Sequence, residues 1–153
     1  MHKFTPMSFN FAVKQSDLVK QFHFVKKLHE ELIQSGTIVS TLTQNNLIKI
    51  YCKSGNVKLA EEIFFNLRKQ NRDDITSWNT ILGSLIRNGH YIDAIRHFKE
   101  LQTSRIQPSL ITFSLVLVAI THTEDLSLGK IIHGQVKELL PSSAILRNRL
   151  LEM

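Results

Sequence analysis

The feature that most constrains this chain is an internal repeat. Asn45-Asn46-Leu47-Ile48 aligns with Asn79-Thr80-Ile81-Leu82 at an offset of 34 residues. In the same register Lys53 meets Arg87, Gly55 meets Gly89, Ala60 meets Ala94, Phe64 meets Phe98, and Leu67 meets Leu101. A fixed period of this length is the signature of stacked supersecondary units, each unable to bury its apolar face alone. A second correspondence, between "VKKLHEELIQSG" and "GKIIHGQVKELL", places His29 and His133 three periods apart. Repeat openings fall near Thr41, Ile75 and Leu110. The organisation expected is a tail over 1–16, a degenerate unit over 17–40, units over 41–74, 75–109 and 110–144, and a partial unit over 145–153.

Each unit reads as two helices. From Ile75, Thr76 or Ser77 can cap a first helix expected from Trp78 to Asn88. Trp78, Ile81, Leu82 and Leu85 form an apolar stripe at helical spacing. Gly89 suits a left-handed position after that helix. The second helix is expected from Tyr91 to Ser104, with Ala94, Ile95, Phe98 and Leu101 inward and Pro108 beyond its end. The unit from Thr41 copies the plan, with helices over Leu47–Ser54 and Lys58–Lys69 around a turn at Gly55-Asn56. Ala60 and Ala94 are expected where paired helices cross closely, since a larger side chain would push them apart. "RKQNRDD", from Arg68 to Asp74, lacks the Gly or Pro expected between units and reads as a solvated connector that lets the preceding helix fray. The fold class is therefore all-α, an α-solenoid of tandem helix-turn-helix repeats, whose hand the period does not fix.

Composition narrows the chemistry. One Cys in 153 residues excludes a disulfide framework or a Cys-based zinc cluster. Cys52, beside Tyr51, reads as a small buried residue. The longest apolar stretch, Leu115 to Ile120, is too short to span a bilayer, so no membrane partner is expected. The net charge of +6, from 19 Lys+Arg against 13 Asp+Glu, permits a polyanionic partner without proving one. No phosphate loop, nucleophile elbow or metal-binding motif is present. No catalytic residue, metal or cofactor is therefore expected, and the chain does not read as an enzyme. Residues 1–16 carry His2, Lys3, Lys14 and several hydroxyls, with no acid before Asp17. That composition fits a weak organelle transit peptide and a plain N-terminal tail equally well.

The segment "SWNTILGSLIRNGHYIDAIRHFKELQTSRIQPSLITFSLVL" resembles a pentatricopeptide repeat. Trp78-Asn79, Arg87-Asn88-Gly89, Ala94, Phe98 and Pro108 carry the likeness. "NNLIKIYCKSGNVKLAEEIFFNL" resembles the short unit, and "VKKLHEELIQSG" and "LSLGKIIHGQVKELL" the long unit, of the plant subclass that alternates long, short and ordinary repeats. The order is long, short, ordinary, long, then a partial short unit in "AILRNRLLEM". The first unit departs from the pattern, because "FTPMSFNFAVKQ" supplies no clear first helix. Family members carry many more repeats, so the chain resembles a truncated product or a fragment.

The resemblance implies sequence-specific binding of single-stranded RNA, one base per repeat, assisting editing, splicing or stability of organellar transcripts. RNA-editing or processing proteins are the further partners it implies. The location implied is a mitochondrion or chloroplast, the mitochondrion preferred. An Asn amide has donors and an acceptor with which to address a base edge. Carried over residue by residue, the unit from Thr41 offers Asn45 with Asp74, a pairing that favours uracil; Asp73 is the alternative occupant of the second place. The unit from Ile75 offers Asn79 with Ser109, which favours cytosine. The unit from Leu110 offers Ser114 with Ala144 and receives no base. The central preference expected is 5′-UC-3′. Leu42, Thr76 and Ile111 would sandwich bases, and Lys53 and Arg87 would meet phosphates; His122 stands in their place one unit on.

Plainer readings stand beside these. Asn45 and Asn79 taken alone are helix-start residues that bond local backbone. Lys53 and Arg87 also suit the negative end of a helix dipole. Trp78, Phe64, Phe98 and Phe113 read as core, and His29 and His133 as packing residues rather than metal ligands. The alternative functions are a tetratricopeptide-like protein-binding scaffold, disfavoured by the bulk of Leu82 and Leu101 at the helix crossing, and a truncated product with no specific RNA binding.

Overall fold

In the computed structural model, residues 22–36 and 38–139 are described, and among them all regular structure is helical. The expected tail over 1–16, Ala144 and the partial unit from Ile145 lie outside the described residues. The helices are α1 (Phe22–Gln34), α2 (Thr41–Lys53), α3 (Val57–Lys69), α4 (Ile75–Arg87), α5 (Tyr91–Gln102), α6 (Leu110–Thr123) and α7 (Leu126–Leu139). They divide into two compact units, broken between Asp73 and Asp74.

In the first unit α2 packs along α3. Leu47, Ile48 and Tyr51 from α2 meet a core to which α3 brings Ala60, Phe64 and Leu67, all nearly inaccessible to solvent. Full burial of Ala60 fits its reading as a close-crossing residue. α1 contributes Val25, Leu28 and Leu32. It also holds Tyr51 from two sides, with the Phe22 ring edge-on at 5.8 Å and the His29 ring tilted at 5.7 Å.

The ends of these helices are fixed by local chemistry. Ser40 Oγ accepts the Thr43 backbone N–H at 3.1 Å and starts α2 six residues before the expected Leu47. Gly55, at φ +80°, ends it: the Gly55 N–H reaches Cys52 O and the Asn56 N–H reaches Tyr51 O. This paired closure satisfies two carbonyls that the helix leaves open. The same closure ends α3, but there Asn71 takes the left-handed place at φ 53°, with Asn71 N–H on Arg68 O and Arg72 N–H on Leu67 O. Arg72 Nη2 further donates to Val39 O at 2.7 Å. The connector therefore does not fray the helix, as its polarity suggested. Asparagine tolerates the left-handed region, so the missing glycine left no gap in the cap.

Among its described residues the second unit is a stack of four helices. α4 packs on α5, α6 packs on both, and α7 packs on α6. Trp78, Ile81, Leu82 and Leu85 of α4 and Ala94, Phe98 and Leu101 of α5 have no solvent exposure. α6 is apolar around most of its circumference because α4 and α5 pack on it as well as α7, and its Phe113, Val116, Leu117, Ala119 and Ile120 are buried. Phe98 and Phe113 meet edge-on at 6.1 Å. Leu128, Ile132 and Val136 form the buried side of α7. α4 starts at Ile75, not Trp78, because the cap is Asp74 rather than Thr76 or Ser77. Asp74 is extended (φ −135°, ψ 176°), and its carboxylate accepts the Ser77 N–H at 2.7 Å. Gly89 takes φ +78° after α4, and α5 ends at Gln102, two residues earlier than expected.

Among the described residues no helix is long and apolar enough to cross a membrane. Cys52 is fully buried, as its reading as a small buried residue expected.

The His29 ring gives the first unit an acid response. Burial holds its pKa below the ordinary 6.5, against a smaller opposing pull from Glu30. His29 Nδ1 and the Tyr51 hydroxyl share a hydrogen bond at 3.0 Å, and burial followed by Glu30 raises that phenol to about 12. A depressed folded pKa means the unfolded chain binds the proton first. The contribution is intact above pH 6.5 and is lost as pH falls from there through the folded value. The urea midpoint is expected to drop more between pH 7.5 and 5.5 in the wild type than in His29→Gln. An equal drop in both would contradict this role.

Candidate nucleic-acid interface

Residues four apart on a helix share a face. On α4 that rule aligns Asn79, Gly83 and Arg87; on α2, Asn45, Lys49 and Lys53; on α6, Ser114, Val118 and His122. Each stripe runs from a small polar side chain near the helix start to a cation or imidazole near its end.

Asn79 is half-buried, and its amide is held at both ends. Nδ2 donates to Ser109 Oγ at 3.2 Å, and Oδ1 accepts the Thr112 hydroxyl at 2.7 Å. The structure thus brings together the two residues proposed to share a base. Ser109 is also the N-cap of α6. Its hydroxyl accepts the Thr112 N–H at 3.3 Å, and Thr112 Oγ1 accepts the Ser109 N–H at 2.9 Å, a reciprocal capping box. Arg87 is exposed, and its guanidinium lies back along the stripe: a Cβ at Gly83 would stand 3.2 Å from Arg87 Nη1. The absent side chain at 83 lets the cation rest one turn from Asn79. Thr76, one turn before Asn79, is exposed.

On α2, Asn45 is buried, with 4% of its surface exposed. Its Oδ1 has no hydrogen-bond partner among the described residues, nor has the buried Oε1 of Gln44. An unpaired buried acceptor costs about 1–3 kcal/mol and calls for an explanation. Lys49 and Lys53 are exposed below it, and Leu42 is 63% exposed at the helix start. Asp74, the residue proposed to read with Asn45, belongs to the second unit and is exposed. Its Oδ1 takes the Ser77 backbone and, at 2.9 Å, the Ser77 hydroxyl.

On α6, Ser114 is half-buried and Ile111 is 64% exposed. His122 stacks flat on Tyr91, with ring centroids 4.1 Å apart and planes 8° from parallel. Sequence reasoning missed Thr112, Lys49 and Gly83. The Ser-x-x-Thr spacing was a usable signal for Thr112, and the i, i+4 rule for the other two.

Comparison with known proteins places the chain. Residues 68–122 match the pentatricopeptide repeat domain family and residues 45–71 match the PPR repeat. A pentatricopeptide repeat-containing protein of Arabidopsis thaliana is 33% identical over 111 residues, 72% of this chain and 15% of the relative. A second from that plant, named as mitochondrial, is 30% identical over 139 residues, 89% of this chain and 14% of the relative. Another relative's name carries the label chloroplastic. The chain thus spans about a seventh of the length of the first two relatives. The crystal structure of the pentatricopeptide repeat protein PPR10 from maize has the same all-α solenoid fold, with TM-score 0.81 and 20% identity over 99% of this chain and 22% of that one. PPR10 has also been solved with an 18-nucleotide RNA element, and that structure matches with TM-score 0.75. With both units carrying matched repeat sequence, the chain belongs to the pentatricopeptide repeat family.

Proposed function

We propose that this chain binds single-stranded RNA through the first helices of its repeats, one base to each repeat, within a mitochondrion or chloroplast. The reading assigns base contact to Asn45 with Asp74, Asn79 with Ser109, and Ser114. Leu42, Thr76 and Ile111 flank the bases, and Lys53 and Arg87 meet phosphates. The observation that carries it is the Asn79–Ser109 hydrogen bond, since a paired code needs those two side chains in contact. Three further features support it: the exposed apolar side chains of Leu42 and Ile111, the buried Oδ1 of Asn45 with no partner among the described residues, and the Arg87 cation lying back toward Asn79. The solved RNA complex of PPR10 supports the ligand class. Organellar labels on relatives support the location, and the role proposed there is in the processing of organellar transcripts.

The test is binding of the purified chain to a UC-containing RNA 8-mer, its purine-substituted version, and the matching DNA, at 50 and 200 mM salt. The UC RNA is expected to bind tightest, with affinity falling as salt rises because phosphate contacts release counterions. Asn79→Ala is expected to lower UC affinity roughly tenfold, about 1.4 kcal/mol, and to leave the DNA signal unchanged. Equal weak binding to all three would mean that only the +6 charge is at work.

A further inference from the structure

Resting on the proposal that the first helices bind RNA, we infer that a phosphate contact lies one turn past each reader, at the level of residues 49 and 83. Lys49 is that contact in the first unit. Gly83 is the positioning residue that brings the Arg87 cation to the same level in the second.

The charges of the first helices carry the inference. α2 and α4 hold Lys49, Lys53 and Arg87 with no Asp or Glu, and α6 holds no Lys, Arg, Asp or Glu. Acids sit on the second helices instead: Glu61 and Glu62 on α3, Asp93 and Glu100 on α5. There Arg96 is paired with Asp93 at 3.2 Å and Glu100 at 3.4 Å. Lys49, Lys53 and Arg87 are exposed and meet no carboxylate among the described residues. Cations without acids on one face leave a positive field open to a polyanion.

Glycine inside a helix is destabilising relative to alanine, so Gly83 calls for a packing reason. It is buried on α4, and two side chains cover it. A Cβ there would stand 3.2 and 3.6 Å from the Arg87 guanidinium nitrogens and 3.5 Å from Leu115 Cδ2 of α6. Helical side chains lean over the turn before their own. Arg87 therefore lays its charge over Gly83, one turn of about 5.4 Å closer to Asn79 than its own backbone. Leu115 closes the other side on a packed helix, so a branched side chain at 83 makes the exposed Arg87 swing out. In the first unit Lys49 fills the same place directly. In the third it is filled by Val118, and His122 lies on the Tyr91 ring, so that unit has no such cation.

The experiment measures binding of the UC-containing RNA 8-mer between 50 and 200 mM salt, with the purine-substituted 8-mer alongside. Each phosphate contact on a single strand adds about 0.7 to the slope of log affinity against log salt. Lys49→Gln and Arg87→Gln are each expected to lower the slope by about 0.7. Gly83→Val is expected to lower it by a similar amount. Combined with Arg87→Gln it should remove nothing further, because both changes act on one contact. Gly83→Gln, a better helix former, gives the same readout should the valine perturb folding. Val118→Lys supplies the third unit's missing cation and is expected to raise the slope by about 0.7. Lys99→Gln, at an exposed site on α5, removes the same charge as Lys49→Gln and is expected to leave the slope unchanged. An unchanged slope in Lys49→Gln would overturn the inference. So would a loss in Gly83→Val that persists in full beside Arg87→Gln. Either result with the UC preference intact leaves base reading standing. Slopes that fall as expected in a wild type without UC preference would overturn base reading and leave the cation level standing.

Discussion

Replacing Trp78 with alanine is expected to cost the second unit about 3–5 kcal/mol. Trp78 is fully buried and heads the largest such side chains. It sits on α4, the helix against which both α5 and α6 pack. Its removal opens a cavity bounded by helices that pack on one another as well, so collapse into the void is restricted. Small domains are stable by about 5–15 kcal/mol in total, so the loss is a large share. Urea unfolding followed by helical circular dichroism measures it directly. Trp78 is the chain's one tryptophan, so wild-type fluorescence reports the second unit separately. A loss below about 1 kcal/mol, the middle of the range for point substitutions, would contradict the central place given to this ring.

In the first unit the corresponding expectation concerns Tyr51. Tyr51→Ala is expected to cost on the order of 3–5 kcal/mol, as truncation of a large buried aromatic does, and Tyr51→Phe only about 1 kcal/mol. The difference follows from what the side chain touches. The ring is 1% exposed and packs against Phe22 and His29, contacts that phenylalanine keeps. The hydroxyl makes one bond, to His29 Nδ1. Tyr51→Phe removes the hydrogen-bond partner of that nitrogen, so the substitution should also change the acid response of the first unit. Urea midpoints of both variants at pH 7.5 and 5.5 test the two statements together. Equal costs for the two substitutions would show that the hydroxyl, not the ring, dominates the site.

The helices were legible in the sequence because the repeat supplies its own control. Ala60 with Ala94 and Phe64 with Phe98 sit at equal places in successive units, and both pairs are buried. An apolar stripe that recurs at a fixed offset reflects a packing requirement met twice. The helix starts were not legible in the same way. Asp73, Asp74, Thr76 and Ser77 can all cap, and only the extended backbone at Asp74 selects it. Likewise Asn71 carries no glycine signal, yet takes the left-handed place that closes α3.

The site was legible only in part, for a related reason. Asn79 and Ser109 came from likeness to a family pattern, whereas composition and spacing alone left Asn79 as a helix-start residue. Thr112 lies 33 residues from Asn79, and its bond to that amide depends on how α6 approaches α4. Neither helix's own periodicity encodes that approach. The stacking of His122 on Tyr91 is of the same kind: the first sits at the end of α6 and the second at the start of α5.

The most direct test of base reading is to change the letter being read. Ser109→Asp preserves the cap, because Asp74 caps α4 through the same backbone position that Ser109 uses on α6. A carboxylate there can draw the Thr112 hydroxyl, as Asp74 draws that of Ser77. It thereby frees Asn79 Oδ1 and offers an acceptor to the N3–H of uracil. The measurement is the C/U affinity ratio of Ser109→Asp against wild type, on 8-mers differing at that nucleotide alone. Reversal of the preference from C to U, by roughly tenfold, about 1.4 kcal/mol, is the result expected. A folded Ser109→Asp protein that binds RNA with an unchanged C/U ratio would contradict one-base reading by the Asn79 repeat.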